Sequence, residues 1–392
     1  MIRAMRLTIG LALALLCSPA LAQPQPRIVL DVPLPPPPEH QLSGLGPPGR
    51  LAVGPDGMHY VLATSFKPSA DGIMPAADAR VEIMAFGHDG KAGYRAMLPV
   101  QAGIGKRGFD AASLGVAVLP NGETMVFLSS SNQAMATPRR ERSATSIYRI
   151  SAAGSVVRST PVPPAVPGSP ASFYRTKFYL PTSDNGLLVG GGFGPDPFNW
   201  WIGRFDTEGR RLWQAGPGPG MPEDVYGLAL RPDGTISAAV QEILAAQQFS
   251  QWFIVQLGAD GTQQGRVPFK TAGTSFALTP GGWVSAVSEF QTAGSPALVR
   301  LDANGNVAGS APWNYGQTRR MIADGNGIAA IVCNTIDGPP CWIVRAGNDG
   351  KVRWQSQPVT VSDIVRTPDG QIAAILWSDD LLSSRLVRFA DP

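Results

Sequence analysis

Leu228-Ala-Leu-Arg-Pro-Asp-Gly234 is the stretch from which the fold can be read. A short apolar strand runs into a tight turn. There Pro presets φ, Asp bonds its own backbone and Gly takes the positive φ that closes the turn. A second apolar strand leaves it, beginning near Ile236. The same pattern recurs at Leu51–Gly57, Val116–Gly122, Tyr179–Gly186, Phe276–Gly282, Met321–Gly327 and Ile364–Gly370. The closing glycines stand 65, 64, 48, 48, 45 and 43 residues apart along the chain, so one structural unit repeats seven times.

A second pattern follows each of the first. It is another strand and another Gly-closed turn: Ile83–Gly90, Ile147–Gly154, Ile202–Gly209, Ile254–Gly261, Leu298–Gly305 and Ile343–Gly350. A seventh copy, Leu386-Val-Arg-Phe-Ala-Asp391, stops one residue before the chain does. Each complete copy is followed by a fourth strand, such as Arg210–Gln214 or Lys351–Gln355. Seven units of four short strands predict an all-β, seven-bladed β-propeller. The seventh unit lacks its fourth strand, and an open sheet edge is something folded β proteins avoid. Arg27–Leu34 is an orphan strand ahead of the first repeat. It is expected to complete blade seven, so that the two ends of the chain close the ring.

Composition agrees with many strands and turns. The chain of 392 residues holds 45 Gly and 37 Pro, with 44% hydrophobic and 16% charged residues. That mix excludes a coiled coil, a helical bundle and a disordered chain. Lys and Arg number 32 against 29 Asp and Glu, a formal net charge of +3. Two of the positive charges, Arg3 and Arg6, sit in a segment expected to be removed. So flat a balance argues against a nucleic-acid partner and a polybasic membrane-surface role.

That segment reads as a secretory signal. Two arginines precede the apolar run Leu7–Leu16, and Ala20-Leu21-Ala22 offers a small-x-small cleavage site before Gln23. The run has about half the length needed to span a bilayer. Cys17 follows Leu16, whereas a lipid-modified cysteine normally follows a small residue. Cleavage after Ala22 is expected, leaving one domain over residues 23–392 with no integral membrane segment, in the periplasm or outside the cell. Cys333 and Cys341 flank a loop containing Asp337-Gly-Pro-Pro340. In an oxidising compartment they are expected to form a disulfide across the mouth of a hairpin.

The chain resembles the propeller repeats grouped as pyrroloquinoline-quinone-like, NHL-like or delta-60-like. The resemblance rests on the Pro-Asp-Gly turn and on the Arg-x-Asp-x-x-Gly stretch at Arg204–Gly209 and Arg300–Gly305. It covers nearly all of the chain after residue 22. It implies that Trp213 and Trp354 dock neighbouring blades. Quinone-dependent alcohol dehydrogenases of that superfamily typically have eight blades and an adjacent cysteine pair; seven units and no such pair argue for no quinone cofactor.

Antiparallel blades put the first-to-second and third-to-fourth turns on one face. The second-to-third loops and the blade-to-blade connections share the other, here called the loop face. The longest of these lie in the first half of the chain, so binding is expected there. Arg139, Arg140 and Arg142, joined by Lys106 and Arg107, form a basic cluster that is either an anion-capturing site or a solvated loop tip. Trp200 and Trp201 must face opposite sides of one strand. Either one is open for stacking on a sugar or peptide, or both belong to the core. Asp71, Asp78, Asp196, Glu223 and Asp224 could offer oxygen ligands to Ca²⁺, but no calcium-loop spacing exists, and no metal is expected. Catalytic motifs are missing: there is no Gly-x-Ser-x-Gly elbow, His-Glu-x-x-His or phosphate-binding glycine loop. His40, His59 and His88 are the histidines.

The expected function is an exported binding or assembly scaffold whose loop face takes a protein or glycan. The alternatives are a secreted propeller enzyme of the lactonase, lyase or quinoprotein type, and a carbohydrate-binding module. The axial channel discriminates between them. Three convergent carboxylates or a histidine would favour an enzyme, and a lining of Val, Ala, Ser and Gly would favour a scaffold.

Overall fold

A computed structural model describes residues 23–42, 50–68, 75–99, 109–132, 143–165, 174–193, 199–216, 224–244, 249–269, 273, 275–287, 296–302, 304–334, 340–378 and 383–392. These form seven antiparallel sheets whose strands follow chain order from the axis outward. The innermost strands are Leu51–Val53, Phe109–Val118, Tyr174–Pro181, Asp224–Leu230, Ser275–Thr279, Gln317–Asp324 and Thr360–Arg366. Each touches the next in cyclic order, and the last returns to the first. The molecule is therefore a seven-bladed propeller. Blade one carries an extra short strand, Gln41–Leu42, which pairs with His59–Pro68 beyond Leu51–Val53. No helix among the described residues is long and apolar enough to cross a membrane.

The ring closes as the repeat count requires. Arg27–Leu34 pairs antiparallel with Ser384–Ala390, from Arg27 opposite Ala390 to Leu34 opposite Ser384. It thereby becomes the fourth strand of blade seven. Leu30 and Leu34 are buried, and Asp31 forms an ion pair with Arg385. Just upstream, the Pro24 carbonyl accepts a hydrogen bond from Gln355 N at 3.1 Å, which ties the same segment to blade six.

Both faces of every blade are covered by other blades. The apolar residues accordingly sort into seven clusters among the described residues, each lying between two neighbours. The outer strands are laid over one another in a single direction. Trp213 on the fourth strand of blade three lies against Gly261 in the third-to-fourth turn of blade four, and its Nε1 donates to Ala259 O at 2.9 Å. Gly261 has a φ of 82°, and a Cβ there would sit 2.5 Å from the indole, so only glycine serves. Tyr94 covers Gly154 in the same way, and Ala311 covers Gly350. Leu30 and Val32 of the amino-terminal strand cover Gly90. Trp354 of blade six reaches blade seven, donating to Asp391 Oδ1 at 2.7 Å. Both tryptophans thus dock neighbouring blades.

The turns follow the expected chemistry, with two exceptions. The closing glycine takes positive φ at Gly57, Gly122, Gly234, Gly282 and Gly370, but in blade three Asn185 takes it and in blade six Gly325 does. Asparagine is the side chain best suited to that region after glycine. The Asp324–Gly327 hairpin has two central residues, and the first of them, Gly325, takes the left-handed position. Cys333 and Cys341 are paired across the second and third strands of blade six and form a disulfide. A loop that short contributes about 2–3 kcal/mol. The bond points to an oxidising compartment.

Candidate functional site

The first strands carry a feature that the repeat pattern did not reveal. In blades two, three, four, six and seven the pairing of first and second strands is interrupted by one extra residue: Ala112, Lys177, Tyr226, Arg319 or Ser362. A β-bulge re-aims a side chain and locally breaks the ladder. Five bulges at one level make a belt around the axis, in the half of the channel nearer the loop face.

Polar contacts in the belt run from blade to blade. Lys177 of blade three pairs with Asp224 of blade four at 2.5 Å, and its Nζ lies 4.6 Å from the ring centre of Tyr226. Burial pushes the Tyr226 phenol up to about 12, Asp224 acts in the same direction, and Arg175 opposes them. Asp363 of blade seven is fully buried and joins three blades. It accepts from its own blade at Ile364 N (2.9 Å) and from blade one at Leu51 N (3.1 Å), and it forms an ion pair with Arg320 Nε of blade six at 2.9 Å. Arg50, leading into the first strand of blade one, is buried. Burial draws its guanidinium down to about 10, against the pull of Asp363. Its Nη1 donates to Thr64 Oγ1 at 3.3 Å, and its Nε has no hydrogen-bond partner among the described residues.

The belt is basic. Among the described side chains at this level, Arg50, Arg175, Lys177, Arg319 and Arg320 outnumber Asp224 and Asp363. Among the described residues, neither lining anticipated from the sequence is found at this level: it is neither a ring of carboxylates nor one of small neutral residues. What it can do chemically is attract an anion and fix it by charge-assisted hydrogen bonds.

The sequence-derived candidates fare unequally. Lys106, Arg107, Arg139, Arg140 and Arg142 lie outside the described residues. The strands they connect, Ala92–Leu98 to Phe109–Val118 and Thr124–Asn132 to Ser143–Ile150, end on the loop face. Trp200 and Trp201 are both core residues, 3% and 1% exposed, so neither is open for stacking on a ligand. Trp200 packs toward blade four and donates to Glu242 Oε1 at 3.0 Å. Trp201 packs toward blade two, its ring 4.8 Å from that of Tyr174. They do face opposite ways, but a blade has a neighbour on each side. Asp71, Asp196 and Glu223 lie outside the described residues, as does the side chain of Asp78. Asp224, the fifth candidate calcium ligand, is held by Lys177. Among the described residues no three His, Cys, Asp or Glu stand together as a metal site.

His88 is exposed in a turn, and His40 is buried with Nδ1 2.9 Å from Pro38 O. His59 is fully buried at the start of the second strand of blade one. Burial, reinforced by Arg388, lowers its pKa to about 4 from 6.5. The unfolded chain therefore binds the extra proton between those values, so stability is complete above pH 6.5 and falls as pH drops toward 4. A loss of about 3 kcal/mol over that range is expected from this one group. Urea titrations of wild type and His59→Leu at pH 7 and 4.5 check it: the variant should lose markedly less, and equal losses would contradict the assignment.

On the opposite face, a cleft of about 470 Å³ opens between blades four and five, lined by Arg231, Ser237, Gln256, Thr279 and Trp283 among others. It arises beside the hairpin of blade five, whose two-residue turn closes with Thr279 opposite Gly282. The carboxylates of this face are mostly spent within their own turns, as Asp233 is on Thr235 and Asp302 on Asn304 and Asn306.

Against known proteins, no family model matches the chain, and its sequence matches no curated protein. Many solved structures share the architecture. BBS1N, solved in complex with ARL6DN, is 10% identical with a TM-score of 0.52, over 94% of this chain and 97% of that one. The Pyrococcus horikoshii acylaminoacyl peptidase is 9% identical with a TM-score of 0.52, over 90% of this chain and 52% of its own. The quinohemoprotein alcohol dehydrogenase from Comamonas testosteroni is 11% identical with a TM-score of 0.50, over 86% and 67%. One of these is solved with a protein partner and two bear enzyme names, so what the chain shares with them is the seven-bladed or related propeller fold and nothing narrower.

Proposed function

We propose that the protein is an exported binding scaffold that takes its ligand on the loop face, at the mouth of the axial channel. The observation that carries this reading is the belt of charged residues at the first-strand bulges. Its pairs bridge separate blades, Lys177 to Asp224 and Arg320 to Asp363. Such pairs can exchange partners with an incoming ligand without unfolding a turn. The turn-face carboxylates, by contrast, hold their own turns together. A rigid ring with a charged centre built from inter-blade pairs suits binding and assembly. Export is supported by the signal-like segment at residues 1–22 and by the disulfide.

The test is a thermal-shift screen of purified protein against oligosaccharides, peptides and small anions, run in parallel on Arg319→Ala and Arg231→Ala. A ligand present at about a hundred times its Kd stabilises by about 2.7 kcal/mol, a shift of a few degrees. The expected result is a hit that Arg319→Ala abolishes and Arg231→Ala retains. A hit lost in Arg231→Ala and kept in Arg319→Ala would place the site in the cleft between blades four and five and overturn the proposal.

A further inference from the structure

We infer that two copies of this chain associate edge to edge through Val307–Pro312, the outer strand of blade five, so that their sheets join across a two-fold axis. The contact is independent of any ligand at the loop face. The outermost strand of a blade presents a row of backbone N–H and C=O groups, and folded sheets keep such edges apart with charged side chains. Six of the seven outer strands follow that rule, carrying Arg27, Arg95, Arg158, Arg211, Arg266 and Arg353. Val307-Ala-Gly-Ser-Ala-Pro312 carries no charged residue.

The exception can be placed at one position. Arg95 of blade one stands opposite Met84, and Arg266 of blade four stands opposite Val255. Met84, Val255 and Val299 are the second residues of the repeated third-strand pattern, and the residue opposite Val299 is Ser310. Ser310 is exposed, and among the described residues no strand pairs with the outer edge of Val307–Pro312. The occupant that suits this edge is its own copy. In an antiparallel self-pair Arg95 or Arg266, each in the middle of its strand, would meet a like charge, which destabilises a cross-strand contact. Val307–Pro312 meets none. The cation beside it, Arg300, belongs to the neighbouring strand, lies over Gly309 and is drawn to the bulge, where it donates to Ala308 O at 3.4 Å. Val307 is exposed at the start of the strand and gains burial in the pair. A two-fold contact uses the same patch on both copies and closes, so association stops at a dimer. The bulge at Ala308 limits the regular ladder to Gly309–Pro312. Such a contact is smaller than the roughly 1,200 Å² at which stable complexes begin, so the dimer is weak, with a Kd of roughly tens to hundreds of micromolar.

The test restores the missing charge. Sedimentation velocity of the purified protein over about 5–500 µM should show a reversible monomer–dimer equilibrium. Ser310→Arg, which gives blade five what blades one and four already carry, should weaken the dimer by about tenfold or more. Ser310→Thr, which stays neutral, should leave it intact. Melting curves establish that each variant is folded, and Ser310→Lys stands in for Ser310→Arg if the latter is not. Amide hydrogen exchange gives the location: Gly309, Ser310 and Ala311 should exchange more slowly as the wild-type concentration rises, and should not do so in Ser310→Arg. A protein that stays monomeric at every concentration, its edge left for another protein's strand, overturns the inference. So does a dimer that Ser310→Arg leaves unchanged, or one in which the amides of Gly309–Ala311 gain no protection, since its interface then lies elsewhere.

Discussion

A chain beginning at Pro35 is expected to lose cooperative folding under conditions where the chain from Gln23 is stable. Removing Arg27–Leu34 strips the ladder partner from Ser384–Ala390, uncovers Gly90, and deletes the buried side chains of Leu30 and Leu34. Each buried leucine alone is worth about 2–5 kcal/mol when truncated to alanine. Together with the exposed sheet edge, the loss should be at least about 5 kcal/mol, a large part of a typical domain's net stability. Calorimetry of the shortened protein should show a melting point lowered by more than 10 °C, or no cooperative transition, with aggregation. A synthetic peptide spanning residues 23–36 added in trans should restore much of the loss. A shortened chain that melts where the longer one does would refute closure by the termini.

Arg345→Met is expected to be the most damaging single substitution outside the apolar clusters. Arg345 is buried and donates to both oxygens of the buried Asp324, to the Gly370 carbonyl at 2.9 Å and to Asp391 at 2.5 Å. Asp391 also receives Trp354, and Asp324 also receives Arg366 at 2.9 Å. The cluster thus locks blade six to blade seven on the turn face. Removing the guanidinium leaves Asp324 buried with only the exposed Arg366 as cation. Breaking a buried pair on one side costs about 3–5 kcal/mol, whereas replacing both members by apolar residues is often near neutral. Urea midpoints should therefore fall steeply for Arg345→Met and recover in large part for Arg345→Met combined with Asp324→Leu. A single-variant loss below about 1 kcal/mol would show that the network is not structural.

What could be read ahead of the structure was whatever depends on neighbours in the chain. A Gly-closed turn such as Pro-Asp-Gly is encoded within four residues, so seven turns of this kind gave the blade count, and the orphan strand Arg27–Leu34 followed by counting edges. The cysteine pair was legible because its hairpin is local. The tryptophan pair shows where this kind of reading stops. Strand parity correctly put Trp200 and Trp201 on opposite sides. Parity says nothing of exposure when a sheet is covered on both faces, as every blade here is. The channel belt was invisible for a related reason. A bulge shifts the alternation by one residue without any marker of its own, and Lys177 and Arg319 look like ordinary strand positions until the register is seen. The carboxylates paired in the belt, Asp224 on Lys177 and Asp363 on Arg320, stand more than forty residues from their partners in the chain.

The seal between the two ends has a consequence for how the molecule is made. Residues 27–34 are synthesised well before residues 384–390, which they must grip. Roughly 350 residues separate them, some 20–70 s of synthesis at about 5–20 residues per second. Throughout that interval the first strand has no place to go, and blade seven cannot exist. Blade seven can be assembled only once residues 384–390 are present, so the chain must be kept from pairing its idle strand with the wrong edge until then.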